Sequence, residues 1–237
     1  MNKLLQVKNV VSGYLNRPVI HGVSLEVTEN TSVALIGPNG HGKTTLLRTL
    51  SGFLPLRAGS ILFDGNDASQ MRVQKRVEAG LVHVPQGDQL FSDMSVEENL
   101  LMGAYLQKDY YNTIKKLENI YDLFPNLKER SGQVASSLSG GERRMVGIGR
   151  GLMTDAKLMI FDEPSLGLAP LIIEQIYDAL QELRKSGMAI LVVEENPSRI
   201  LNFADKICLL DAGHIVWSGT LEEAKSSSHI LQTYLGG

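Results

Sequence analysis

Gly37 to Thr45, GPNGHGKTT, separates an apolar run, SVALI, from a leucine-rich run, LLRTL. Few stretches constrain a fold more. Gly37, four residues, Gly42, Lys43 and Thr44 fit the pattern G-x-x-x-x-G-K-[ST], which carries meaning only between a strand and a helix. The flanking runs supply that setting. Glycine permits positive dihedrals and close approach of the backbone to an anion, and a helix opening at Gly42 presents unpaired N–H groups. The loop, Gly37, Pro38, Asn39, Gly40, Gly42, Lys43, Thr44 and Thr45, thus reads as a phosphate cradle. Lys43 is its point charge for the β- and γ-phosphates, and the Thr44 hydroxyl is a ligand for Mg²⁺. His41 is expected to face solvent.

A phosphate loop needs a sheet behind it. Near-continuous apolar runs at residues 32–36, 81–84, 158–161, 189–193 and 207–210 are the pattern of strands covered on both faces, hence a parallel sheet in an α/β core. Ile173, Ile176, Leu180 and Leu183 share one face of a helix between two of them. In the N-terminal part, LLQVKNV, VSLEV and GSILFDG read as short strands of a small antiparallel sheet. From about residue 91 to 133 strand signals give way to two helical patterns, the first opening with Ser95-x-x-Glu98, a capping box. No proline-rich or glycine-serine linker intervenes. The expected division is a single unit over 1–237: residues 1–90 as β subdomain and first part of the core, 91–152 as a helical insertion, 153–237 as the rest of the core.

Composition excludes several classes. The longest apolar run, MAILVV at residues 188–193, is far short of the roughly 18 residues that cross a bilayer. The start, MNKLLQVKNV, has no signal-peptide pattern. A single cysteine, Cys208, rules out an internal disulfide framework and is expected as a buried thiol. A formal charge of −3 with interspersed signs leaves no footprint for nucleic acid.

Two further motifs carry chemistry. In KLMIFDE an apolar strand ends in Asp162 and Glu163 at the carboxyl edge of the sheet, the usual ligand edge. Asp162 would hold the Mg²⁺ shell and Glu163 polarise an attacking water, although such a pair also suits a plain helix start. LSGGE, Leu138 to Glu142, places Ser139 before a helix and Gly140 and Gly141 in its first turn, a second anion site or simply a helix cap. Two separate phosphate sites on one fold suggest that the second serves a nucleotide held by another subunit.

GPNGHGKTT, VPQ ending at Gln86, LSGGE and LMIFDE, in that order, resemble the ATP-binding subunits of ABC transporters over essentially the whole chain. The resemblance implies a P-loop NTPase (RecA-like) core and hydrolysis of ATP with Mg²⁺. It also implies binding of ATP by Ser139, Gly140, Gly141 and Glu142 from a facing subunit. Gln86 would reach the metal and the attacking water, and Tyr14 would stack on adenine, though a lone tyrosine in a turn is commonly packing. Catalytic roles thus fall to Glu163, Lys43 and Gln86; metal contacts to Thr44, Gln86 and Asp162. ENLLMGAY, DEPSLGLAP, VVEEN and the terminal YLGG resemble more narrowly the branched-chain amino acid importer ATPases of the F type. Urea or amide importers and soluble non-transport ABC ATPases are the alternatives. The implied partners are a second, unlike ABC ATPase (or a second copy), membrane-spanning permeases and, indirectly, an extracytoplasmic solute-binding protein, at the cytoplasmic face of the membrane.

The chain departs from the family at three points. Glu195 stands where most members have a histidine that contacts the γ-phosphate. A carboxylate about 4 Å from that charge is repelled by roughly 4 kcal/mol at an effective dielectric of 20, so Glu195 is expected to be protonated, turned away or bridged by a cation. Arg143 replaces a usual glutamine, and SLGL, Ser165 to Leu168, lacks a usual aspartate. An asymmetric pair with an unlike ATPase is the expectation drawn from these.

Overall fold

The computed structural model describes residues 2–87, 89–200 and 203–226, so the terminal YLGG lies outside the described residues. The strands are β1 (Lys3–Tyr14), β2 (Arg17–Thr28), β3 (Ser32–Ile36), β4 (Ala58–Phe63), β5 (Asn66–Asp67), β6 (Leu81–Val84), β7 (Leu158–Asp162), β8 (Ala189–Glu194), β9 (Lys206–Asp211) and β10 (His214–Gly219). The helices are α1 (Lys43–Leu50), α2 (Val73–Glu78), α3 (Val96–Met102), α4 (Tyr110–Leu123), α5 (Pro125–Glu129), α6 (Gly140–Leu152), α7 (Pro170–Lys185) and α8 (Leu221–Ser226).

The main sheet runs β10-β9-β3-β8-β7-β6, parallel except for β10, and a second, antiparallel sheet runs β2-β1-β4-β5. Because strand side chains alternate with period two, each central strand feeds two cores. Ala34, Ile36, Met159, Phe161, Ile190 and Val192 pack on the side of α3, α4, α6 and α7. Val33, Leu35, Leu158, Ile160, Leu191 and Val193 pack with Leu46 and Leu47 of α1 and with the antiparallel sheet. Continuous apolar strands are what two covered faces require. Cys208 is buried on the second side, and burial raises its thiol to about 11.

Two local expectations change. The N-terminal strands are longer than the turn residues suggested, because Asn9, at φ 48°, and the register shifts along β1 are bulges within a twelve-residue strand and do not end it. The stretch before LSGGE holds three helices where two patterns were read. Pro125, at the first position of α5, cannot continue α4, so the chain turns at Phe124 and restarts.

Candidate nucleotide site

β3 delivers the chain into the loop, and each glycine there has a distinct reason. Gly40 and Gly42 sit at φ 80° and 105°, and a Cβ on Gly42 would lie 2.8 Å from Ile20 Cδ1. Gly37 has ordinary dihedrals, but a Cβ there would stand 2.1 Å from the Leu210 carbonyl oxygen. The loop is therefore held directly against the end of β9. His41 belongs to the same contact: its side chain stays 36% exposed but is tethered. Its Nδ1 lies 2.7 Å from Asp211 Oδ1, and its carbonyl accepts from the Gly213 N–H at 3.0 Å.

Asn39, Gly40, Gly42, Lys43, Thr44, Thr45, Gln86, Glu163 and Leu166 line a cavity of about 310 Å³. Three segments distant in sequence thus meet at one cavity. Lys43 Nζ donates to the carbonyls of Gly37 at 2.8 Å and Pro38 at 3.2 Å and to Asn39 Oδ1 at 3.3 Å, and it pairs with Glu163 Oε1 at 3.3 Å. Gln86 Nε2 donates to Glu163 Oε2 at 3.2 Å. Thr44 Oγ1 donates to Asp162 Oδ1 at 3.4 Å. Burial, reinforced by the neighbouring Glu163 charge, raises Asp162 to about 6. A buried carboxylate beside a hydroxyl and an amide is the hard-oxygen donor set that suits Mg²⁺.

Glu163 is strained. At φ 47° it occupies the left-handed region, which for a side chain with Cβ costs about 1–2 kcal/mol. Such strain persists only where the surroundings over-determine it. Its N–H donates to the Val193 carbonyl at 3.0 Å, and its carbonyl accepts from Arg144 Nη2 at 2.6 Å. The buried Arg144 guanidinium also reaches the carbonyls of Asp162 and Pro164, and on its other side those of Pro85 and Gly87, which flank Gln86. One side chain of α6 thereby joins the glutamine loop to the acidic end of β7. Arg144 escaped sequence reading because an arginine two residues after LSGGE looks like a surface charge. Only its place between Gly141 and Ile148, three and four residues away on one helix face, hints at burial.

Elsewhere, Tyr14 closes the β1–β2 hairpin half-exposed, its hydroxyl accepting from Arg48 of α1 at 3.3 Å. Ser139 caps α6: its hydroxyl accepts from the Glu142 N–H, and Glu142 Oε2 accepts from the Ser139 N–H at 2.8 Å. The Glu142 carboxylate also pairs with Arg130 at 2.8 Å, so its oxygens are already engaged. Ser139 and Gly140 face outward, and Gly140 lines a second cavity with Gln86, Arg144, Leu166, Gly167 and Leu168. Glu195 is exposed, whereas its neighbour Glu194 is buried. Glu194 is the last residue of β8 and continues the buried face of Ile190 and Val192 toward α7, whereas Glu195 lies beyond the strand's end.

A family profile described as ABC transporter matches residues 20–166. The chain belongs to the ABC transporter ATPase family. It is 40% identical to the high-affinity branched-chain amino acid transport ATP-binding protein BraG of Pseudomonas aeruginosa, over 99% of this chain and 100% of that one. It is 34% identical to the lipopolysaccharide export system ATP-binding protein LptB of Escherichia coli K12, over 98% and 97% of the respective chains. Among solved structures, a nucleotide-free ATP-binding cassette from an ABC transporter superposes with a TM-score of 0.86 at 27% identity, covering 100% of each chain. This ABC ATPase hydrolyses ATP, and its family works as dimers with membrane permease subunits. Among the described residues, no helix is long and apolar enough to cross a membrane.

Proposed function

We propose that this ABC ATPase powers the import of branched-chain amino acids through membrane-spanning partners, bound peripherally at their cytoplasmic face. The observation that carries the cargo is the relation to BraG, 40% identical over nearly the full length, against 34% for the lipopolysaccharide export relative. An apolar surface beside the glutamine loop supports a permease contact. A cleft there is lined by Val84, Pro85, Gln89, Phe91, Met102 and Arg150, and exposed Tyr105 and Leu106 follow α3.

In this reading the loop amides and Lys43 hold the β- and γ-phosphates, Tyr14 stacks on adenine, and Glu163 orients the attacking water with help from Gln86. Thr44, Asp162 and Gln86 would hold Mg²⁺, which supplies charge neutralisation on the phosphate oxygens. Ser139, Gly140 and Gly141 of a facing subunit, an unlike ATPase by preference, complete each site. Catalysis is then positioning and charge stabilisation, so closure of the pair is itself a catalytic step.

The test is uptake in the native cell, with this chain replaced by its Lys43→Ala variant. Loss of labelled leucine, isoleucine and valine uptake supports the proposal. Normal uptake of these with loss of urea or amide uptake assigns the alternative importer, and normal uptake of all of them removes import.

A further inference from the structure

The segment after Glu163, residues 164–169, connects the acidic end of β7 to α7. Its tip is exposed at Leu166 and Gly167, and Leu166 lines both the Lys43 cavity and the neighbouring Gly140 cavity. Ser165, in contrast, is completely buried. One oxygen explains why. Glu194 Oε1 accepts from the Ser165 N–H at 3.2 Å, from the Ser165 hydroxyl at 2.6 Å and from the Tyr177 hydroxyl at 2.9 Å. Arg199 approaches the other oxygen at 3.9 Å and also donates to the Ser165 hydroxyl. Four separate segments, the post-Glu163 loop, α7, the end of β8 and the turn Pro197–Arg199, therefore meet on a carboxylate that is 1% exposed.

A buried carboxylate is an expensive way to join segments, since an apolar side chain fills space without desolvating a charge. What it adds is direction, because hydrogen bonds to a carboxylate are short and geometrically specific. The direction matters at this place. Ser165 lies two residues from the strained Glu163, the Leu166 N–H donates back to the Glu163 carbonyl at 3.2 Å, and Arg144 holds the intervening Pro164 carbonyl. Fixing Ser165 to the end of β8 leaves Glu163 little freedom to relax from its left-handed conformation.

We propose that Glu194 is a positioning residue for ATP hydrolysis, its buried carboxylate tying Ser165 to the end of β8 and thereby holding Glu163 toward Lys43 and Gln86. The role rests on the reading of Glu163 as the group that orients water. It also distinguishes the two adjacent acids: Glu195 faces outward, while Glu194 acts from behind the site.

The experiment measures phosphate release against ATP concentration for the purified full-length chain and its variants. Misplacing a catalytic group by about an ångström costs up to about a hundredfold in rate. Glu194→Ala is therefore expected to lower kcat at least about tenfold while the KM for ATP stays within about threefold. Glu194→Gln, which keeps the shape and one acceptor oxygen, should stay within about threefold of the parent kcat. The double variant Ser165→Ala/Glu194→Ala should be no slower than Glu194→Ala. A parental kcat in Glu194→Ala, a defect confined to KM, or a Glu194→Gln chain as slow as Glu194→Ala overturns the proposal. If Glu194→Ala does not fold, Ser165→Ala decides, since it removes the hydroxyl that Glu194 holds and leaves the carboxylate: a lower kcat at unchanged KM supports the role and an unchanged kcat refutes it. Glu163→Gln is assayed alongside. Retained turnover there removes Glu163 as the water-orienting group, whereas an inactive Glu163→Gln with a fully active Glu194→Ala removes only the role of Glu194.

Discussion

Glu163→Gln should do more than stop turnover; it should tighten ATP binding. Lys43 and Glu163 are both buried and lie 3.3 Å apart. At an effective dielectric of 20 that attraction is about 5 kcal/mol before desolvation and competing contacts are counted. An incoming γ-phosphate must draw Lys43 from this carboxylate and also tolerate its charge nearby. Glutamine removes both penalties, and Lys43 keeps the carbonyls of Gly37 and Pro38 and the Asn39 amide oxygen as partners. If about a quarter of the gross attraction survives as a net term, affinity for ATP rises about tenfold. Hydrolysis should fall by about a hundredfold to ten-thousandfold, the usual worth of a positioned base. The nucleotide-free chain should meanwhile melt lower, because a buried lysine has lost its counter-ion. Titration of ATP with Mg²⁺ by fluorescence, phosphate release and melting with and without ATP measure all three, and light scattering reports whether ATP drives a monomer-to-dimer shift. Weaker or unchanged ATP binding refutes the electrostatic reasoning, and unchanged hydrolysis removes Glu163 as the base.

Three further outcomes follow from the same geometry. Arg76 is buried, burial lowers it to about 10, and its guanidinium donates to the carbonyls of Thr49, Leu50, Ala68 and Met71. Arg76→Met takes the guanidinium from the carbonyls of Leu50 and Met71, while those of Thr49 and Ala68 keep the N–H groups of Gly52 and Met71; it should cost about 2 kcal/mol or more in chemical denaturation. Burial, with the nearby Arg48 charge, holds His83 at about 4, below the ordinary 6.5. Between those values the unfolded chain binds a proton that the folded chain refuses, so stability is lost as pH falls from 6.5 toward 4. The loss is about 2 kcal/mol by pH 5, and His83→Gln should remove it from the difference between denaturation at pH 7.5 and at pH 5. Finally, Gly37→Ala puts a methyl 2.1 Å from a backbone oxygen of β9. The loop must then move, so calorimetry should show ATP affinity falling at least about tenfold in a chain that still folds.

The sequence was informative where a local pattern has one physical use. An apolar strand, a glycine loop and a leucine-rich helix in succession leave the phosphate loop little alternative, and near-continuous apolar runs, which two covered faces require, identify β3, β6, β7, β8 and β9 without reference to their order. The capping boxes at Ser95 and Ser139 are equally local, since cap and acceptor lie three residues apart. Bulges were not legible: Asn9 looks the same whether it ends a strand or interrupts one, and only the pairing of its β1 neighbours with β2 and β4 on both sides of it decides.

What the sequence determined by itself was therefore the family, the order of the motifs and the residue types that the proposed reading assigns to phosphate, metal and water. The tertiary structure decided how those residues are held. It took three distant segments to put Lys43 against Glu163 and Gln86, the Arg144 guanidinium of α6 to gather five backbone carbonyls, and the end of β8 to bury Glu194 while exposing Glu195. Each of these depends on contacts between residues far apart in the chain, where a charge's partner is set by which elements pack together and not by what stands beside it in the sequence.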